Sequence, residues 1–322
     1  MPELPEVETI ANGLRQTVLG RRILSVTLGK TDFIDDPAAL EHNLPGKQIA
    51  SVDRYGKFML LRLTPALNFK NGSAPNEETN VGNAFASLLV HLGMTGHLAP
   101  QSASHPCAKH THACFLLDDG RELRYTDARR FGRMAYLAGQ ALEEELRGFG
   151  ADPLEVSVKE FDARVRTRRA RIKALLLDQS VLRGVGNIYA DESLWKAKIH
   201  PTRLGTNLTR QQAKALHLAL RAILQKAIAM RGSSISDFLD AEGEPGEYQR
   251  HHRAYGREGK PCYRCRTPIR RAIVAGRSSY FCPHCQPSPR HSARMLPLRK
   301  RGGMSRKKAA RSSRRKGRAL ST

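Results

Sequence analysis

Cys262-Tyr263-Arg264-Cys265 and Cys282-Pro283-His284-Cys285 are two C-x-x-C pairs separated by 16 residues. A pair spaced in this way lets both thiolates reach one ion, and four thiolates complete the tetrahedral shell of a structural zinc site. The expectation is therefore one structural Zn2+ held by Cys262, Cys265, Cys282 and Cys285, with no open position for chemistry. The stretch between the pairs, Arg270 to Phe281, is basic and β-prone, which predicts a hairpin facing a nucleic-acid backbone. Cys107 and Cys114 lack a matching pattern and read as ordinary residues.

On the C-terminal side, everything after Gln286 is rich in Arg, Lys, Ser, Pro and Gly. It holds 13 Lys or Arg and no Asp or Glu. Such a segment has almost nothing to bury, so a disordered basic tail is expected over 287–322. Without those 13 charges the remainder still carries +11 of the chain's +24. The partner implied is a polyanion. A membrane surface is disfavoured, because no apolar run approaches the roughly 20 residues that span a bilayer. The chain opens with Glu3, Glu6 and Glu8 rather than a basic segment and an apolar core, so no signal peptide is read. A cytoplasmic, reducing setting follows, in which cysteines serve as ligands.

Toward the N-terminus the pattern is helical at about 157–167, 170–178, 188–197 and 209–230. The last of these opens on a Thr209/Gln212 capping box. Gly148 to Pro153 marks a boundary. Before it lie alternating segments at 23–28 and 49–63, a short apolar run at 86–92, and a hairpin over 113–125 turning at Asp119-Gly120, which together suggest a β-sandwich. A polar, break-rich insertion occupies 66–84. Residues 4–19 form an amphipathic helix with Val7, Ile10, Ala11, Leu14 and Val18 on one face. The expected fold is α+β and multidomain: a helix plus β-sandwich over 1–150, a helical DNA-binding region over 151–253, a zinc finger over 254–286, and the tail.

The opening run Pro2-Glu3-Leu4-Pro5-Glu6-Val7-Glu8 is too specific for chance. So are His91-Leu92-Gly93-Met94-Thr95-Gly96, Asp127-Ala128-Arg129-Arg130-Phe131-Gly132 and Gly184-Val185-Gly186-Asn187-Ile188-Tyr189-Ala190. With the cysteine segment, these resemble the bacterial formamidopyrimidine-DNA glycosylases from Met1 to about Gln286. The resemblance implies a helix-two-turn-helix domain over 151–253. It also implies a monomeric, nucleoid-associated repair enzyme that excises oxidised purines such as 8-oxoguanine and formamidopyrimidines from double-stranded DNA and then cleaves the strand. Ala128 departs from the family's usual proline, and the insertion and the tail depart from its usual length.

The resemblance assigns catalysis to Pro2, Glu3, Lys57 and Arg277. The chemistry of Pro2 is consistent with this. With Met1 removed, Pro2 is a secondary α-amine, which titrates about 2–3 units below lysine and so is neutral far more often near pH 7. A neutral amine can attack the anomeric carbon, and a secondary amine then gives an iminium ion whose charge needs no proton. By the resemblance, Glu3 is the general acid, Lys57 acts in elimination and on phosphate, and Arg277 grips the flanking phosphate. Glu6 helps bind or position the sugar.

A base must leave the duplex before chemistry. The resemblance gives Met94, Arg129 and Phe131 the task of filling the gap and contacting the orphaned base. It makes His91, His110, Arg168 and Asn187 DNA contacts. Asn187, after two glycines and before a helix, is also suited to cap that helix. Two other readings stay open: an endonuclease VIII-like enzyme for oxidised pyrimidines, and a non-catalytic DNA-binding paralogue. The tail's charge adds sequence-independent affinity that falls with salt. Deleting 287–322 is expected to weaken duplex binding at physiological salt and flatten the salt dependence, while single-turnover excision by bound protein is retained; a salt titration of binding checks this.

Overall fold

The helix foreseen at the N-terminus, α1 (Leu4–Thr17), carries side chains for two separate cores. Val7, Ile10, Ala11 and Leu14 pack into an apolar cluster with strand residues such as Val52, Leu88, Phe115 and Leu123. Leu4 packs instead with Phe161, Leu176, Ile188, Tyr189 and Leu220. The computed structural model describes residues 2–64, 86–235 and 238–289. Met1, the insertion read at 66–84, Ser236 and Asp237, and nearly all of the basic tail lie outside these residues.

The strand-rich part contains β1 (Ile23–Leu28), α2 (Pro37–Asn43), β2 (Gln48–Tyr55), β3 (Phe58–Thr64), β4 (Ala86–His91), β5 (Gly96–Ser102), β6 (Thr111–Leu117), β7 (Arg121–Asp127), β8 (Arg133–Ala138) and α3 (Gln140–Leu146). Two four-stranded antiparallel sheets form, ordered β1-β6-β7-β5 and β2-β3-β4-β8. Both contribute to one core, so the sandwich read from the sequence stands. The hairpin at Asp119-Gly120 joins β6 and β7 as expected. The sequence signals missed α2, β5, β8 and α3. Strand β5 contains Pro100 and ends exposed, and α3 buries no residue. Neither shows the apolar periodicity on which such readings depend.

The helical part contains α4 (Val158–Arg166), α5 (Ile172–Leu177), α6 (Asn187–Lys196) and α7 (Arg210–Ala229). All four were foreseen to within a few residues. The Thr209/Gln212 capping box is present at the start of α7. Helix α6 is short and nearly all buried, its polar residues Asp191, Glu192 and Ser193 included. The last elements among the described residues are the hairpin strands β9 (Arg270–Val274) and β10 (Arg277–Phe281), in register as Arg277↔Val274. No helix among the described residues is long and apolar enough to cross a membrane.

Because Leu4 is fully buried in the helical core while the rest of the α1 apolar face serves the sandwich, one residue couples the two. Leu4→Ala is expected to destabilise the protein by about 2–5 kcal/mol, the range for emptying a buried leucine site. Urea unfolding of variant and wild type measures it.

Candidate active site at the N-terminus of α1

Helix α1 begins at a junction. The Leu4 amide donates to the Gly184 carbonyl at 3.0 Å. Gly184 has φ +92, and a Cβ there would come within 2.9 Å of Leu4 Cβ. Two residues on, a Cβ at Gly186 would lie 2.3 Å from the Glu3 carboxyl carbon. The Gly-Val-Gly sequence is thus what admits the start of α1 against the start of α6.

Glu3 is 3% exposed, and its carboxylate accepts from the Ile188 amide at 2.9 Å and the Tyr189 amide at 3.4 Å. These are first-turn amides of α6, where unpaired donors and the helix dipole favour an anion. The sequence reading gave this cap to Asn187. The structure places Gly186 at the N-cap and Asn187 inside the first turn, with no side-chain cap from either. The cap comes from Glu3, 185 residues away. The Asn187 Oδ1 is left buried with no hydrogen-bond partner among the described residues.

Glu6 lies behind Glu3 and is 1% exposed. Its carboxylate accepts from the Glu3 amide (2.9 Å), the Tyr189 hydroxyl (2.5 Å) and the Ser233 amide (2.7 Å). It orders the start of α1 and the segment after α7, and it does not line the cleft. Burial, with the negative charge of Glu3 next, pushes the Glu6 carboxyl up to about 7 despite these donors. Burial also raises Glu3, against the opposing pull of Lys57 and the α6 amides. The Lys57 ammonium is held below its ordinary range, first by burial, with the charge of Arg277 adding and that of Glu3 opposing.

A cleft of about 520 Å³ is lined by Glu3, Lys57, Met94, Asn187, Tyr255 and Arg277, among others. Pro2 is buried immediately before Glu3. Lys57 sits in the turn before β3, and Arg277 follows the Ala275-Gly276 turn at the hairpin tip. Five of the residues named from the sequence therefore face one space. His91 borders Lys57, and burial together with the charges of Lys57 and Arg133 lowers it to about 4, so its ring is neutral near pH 7.

Met94, Arg129 and Phe131 come from two loops tied together by one buried carboxylate. Asp127 accepts from Thr95 Oγ1 (2.6 Å), the Arg129 amide (3.2 Å), the Gly132 amide (2.9 Å) and the Tyr125 hydroxyl (3.2 Å). Met94 and Phe131 are left 39% and 56% exposed, and the Arg129 guanidinium stacks 4.6 Å from the Phe131 ring centre. Large side chains held out in water by a buried polar hub suit a contact surface better than a core. His110 and Arg168 are exposed and do not line the cleft. His110 has φ +69, and Arg168 lies just past α4, 4.0 Å from Asp178.

The four sulfurs of Cys262, Cys265, Cys282 and Cys285 lie within 4.8 Å of one another, with Cys265 Sγ 3.4 Å from both Cys282 Sγ and Cys285 Sγ. A tetrahedral zinc with bonds of about 2.3 Å sets sulfurs about 3.8 Å apart, so the cluster fits one zinc ion. The Trp195 indole N–H donates to Cys262 Sγ at 3.4 Å. Two acids of α6, unremarked in the sequence reading, hold this finger. Glu192 accepts the amides of Arg253, Ala254 and Tyr255 at 2.8–2.9 Å. Asp191 pairs with Lys173 at 2.7 Å and accepts the Tyr280 amide at 2.9 Å. Two adjacent acids in the middle of a helix flanked by Ile188, Tyr189, Leu194 and Trp195 were the available signal.

Family models match three stretches: the formamidopyrimidine-DNA glycosylase N-terminal domain over 1–134, its H2TH domain over 149–239, and the zinc finger found in FPG and IleRS over 259–287. The formamidopyrimidine-DNA glycosylase of Solibacter usitatus is 42% identical, over 89% of this chain and 99% of its own. The chain belongs to the formamidopyrimidine-DNA glycosylase family. The counterpart from Desulforamulus reducens is 41% identical over the same 89% of the chain. Among solved structures, the MutM (Fpg) protein of Thermus thermophilus superposes with a TM-score of 0.74 at 38% identity, covering 88% of this chain and 98% of its own. The Lactococcus lactis Fpg in complex with abasic-site DNA superposes at 0.77 with 32% identity, covering 89% and 100%. Formamidopyrimidine-DNA glycosylases are DNA-repair enzymes with a zinc finger, and this chain is an enzyme of that class.

The Glu6 carboxyl predicts a pH effect. Its folded value of about 7 stands above the ordinary 4.5, so the folded state keeps a proton that the unfolded state releases. The associated stability is fully present below about pH 4.5 and is lost as pH rises through 7, on the order of 3 kcal/mol. Urea midpoints at pH 5 and pH 8 are expected to fall further for wild type than for Glu6→Gln.

Proposed function

We propose that the protein excises oxidised purines, 8-oxoguanine and formamidopyrimidines, from duplex DNA through a Schiff base on the Pro2 amine, followed by β,δ-elimination. The observation that carries this reading is the shared cleft: the buried Glu3 beside Pro2 faces Lys57, Asn187 and Arg277. Glu3, its carboxyl raised by burial, is suited to deliver a proton as the sugar ring opens. The neutral amine of Pro2 attacks C1′, the base departs, and the iminium ion withdraws electrons so that the phosphates flanking the lesion leave in turn. Lys57, with its affinity for protons lowered, is suited to elimination and to phosphate contact. Arg277 offers a fork of donors to a flanking phosphate, and Asn187 presents donors at the edge of the cleft.

Met94, Arg129 and Phe131 fill the space left by the extruded nucleotide, and His91, His110 and Arg168 contact the strands. Asp127 fixes the register of the first group. The zinc finger carries Arg277 and contributes no bond-making of its own. Partner and setting follow: damaged double-stranded DNA, bound by a monomer in a bacterial cytoplasm.

The Lactococcus lactis Fpg was solved in one complex with Fapy-dG DNA and in another with DNA containing an oxidised pyrimidine, so the lesion range calls for direct comparison. Borohydride trapping on duplexes bearing 8-oxoguanine or thymine glycol is expected to give covalent protein mainly with 8-oxoguanine. An N-terminal extension that blocks the Pro2 amine is expected to abolish trapping and preserve duplex binding. Persistent trapping by the extended protein would transfer the nucleophile to Lys57.

A further inference from the structure

Cys107 and Cys114 belong to neither the cleft nor the zinc cluster. Cys114 lies on β6 opposite Arg124 of β7. Its neighbours Ala113 and Phe115 face the core, so Cys114 faces outward and is half-buried. Cys107 is exposed in the connection between β5 and β6. That connection is drawn down over β7 by one side chain. The Arg124 guanidinium, 6% exposed, donates to the carbonyls of His105 (2.8 Å), Pro106 (3.3 Å) and Ser102 (3.4 Å). This brings the Cys107 and Cys114 sulfurs and a Glu122 carboxylate oxygen within 4.8 Å of one another.

We propose that Cys107 and Cys114 form a peroxide-responsive thiol pair that closes to a disulfide. A disulfide needs its sulfurs about 2.05 Å apart, and Cys107 lies on irregular, exposed backbone from which side-chain rotation can bring its sulfur across. A resident metal fits the same atoms less well. Glu122 is already engaged by Arg124 Nε at 2.7 Å, and that fixed positive charge opposes a divalent cation while favouring a thiolate.

The roles of the two thiols differ. Burial, then the neighbouring Cys107 and Glu122, push the Cys114 thiol up, so the exposed Cys107 is the attacking group. Its thiolate attacks one oxygen of hydrogen peroxide and breaks the O–O bond. Cys107 becomes a sulfenic acid, and the departing hydroxide takes a proton to give water. The Cys114 sulfur then attacks the sulfenic sulfur, loses its proton and releases the second water. Two thiols and one peroxide yield one disulfide and two waters. The ring closed spans 107–114 and encloses Lys109, His110 and His112. The pair stands independently of the catalytic reading.

The test uses the full-length, zinc-loaded protein. It is treated with a small excess of hydrogen peroxide, blocked with N-ethylmaleimide and digested with trypsin without reduction. Cleavage after Lys109 puts the two cysteines on different peptides, 71–109 and 110–121. The expected product is these two peptides linked with the loss of two hydrogens, released by dithiothreitol, in most chains and with one zinc retained per chain. Cys107→Ser and Cys114→Ser, each with normal zinc content, lose the linkage. The proposal is overturned if both cysteines remain fully alkylated, or if Cys107 accumulates as sulfinic acid or pairs between chains. It is equally overturned if the reduced protein binds a second zinc ion that Cys107→Ser does not.

Discussion

The carboxylate of Glu3 on the first amides of α6 is the contact from which the rest of the site is arranged. It joins the third residue of the chain to a helix that begins 184 residues later. Both partners gain: the helix receives the anion its N-terminus favours, and the acid is fixed in place while burial keeps its proton affinity high. The glycines at 184 and 186 leave the necessary room. Glu6, Tyr189 and Ser233 form a further layer that keeps the start of α1 from shifting.

A second buried acid has the same part at the surface formed by Met94, Arg129 and Phe131. Asp127 collects donors from two loops and so sets the spacing of Met94, Arg129 and Phe131. A third pair, Asp191 and Glu192, attaches the zinc finger to α6. One short helix thus receives the Glu3 carboxylate at its N-terminus and holds the finger that bears Arg277 along its flank. Burying these charges is costly, and each is matched by amides, hydroxyls or a lysine.

Much of this was legible in the sequence, for identifiable reasons. The four cysteines announce their site because metal geometry fixes their spacing. Helices α4 to α7 and the β6–β7 hairpin show periodicity and turn residues strong enough to read locally. Strands β5 and β8 do not, since one contains proline and the other buries two adjacent residues, Met134 and Ala135, rather than alternate ones. At the site, residue identity could be read and partnership could not. Asn187 was the natural local choice for the cap, and nothing in its neighbourhood points to Glu3. The role of Glu6 behind the cleft, and the holding function of Asp191 and Glu192, depend on contacts between distant segments that no window of sequence contains.

The burial of Pro2 has a consequence for biosynthesis. The N-terminus leaves the ribosome first, while the Gly184–Tyr189 segment that receives Glu3 and Leu4 is made only after more than half of the chain. Until then Glu3 and Leu4 lack the partners that this segment supplies. For the nucleophile proposed above, trimming of Met1 competes with closure of this contact, which waits for the synthesis of residues 184–189.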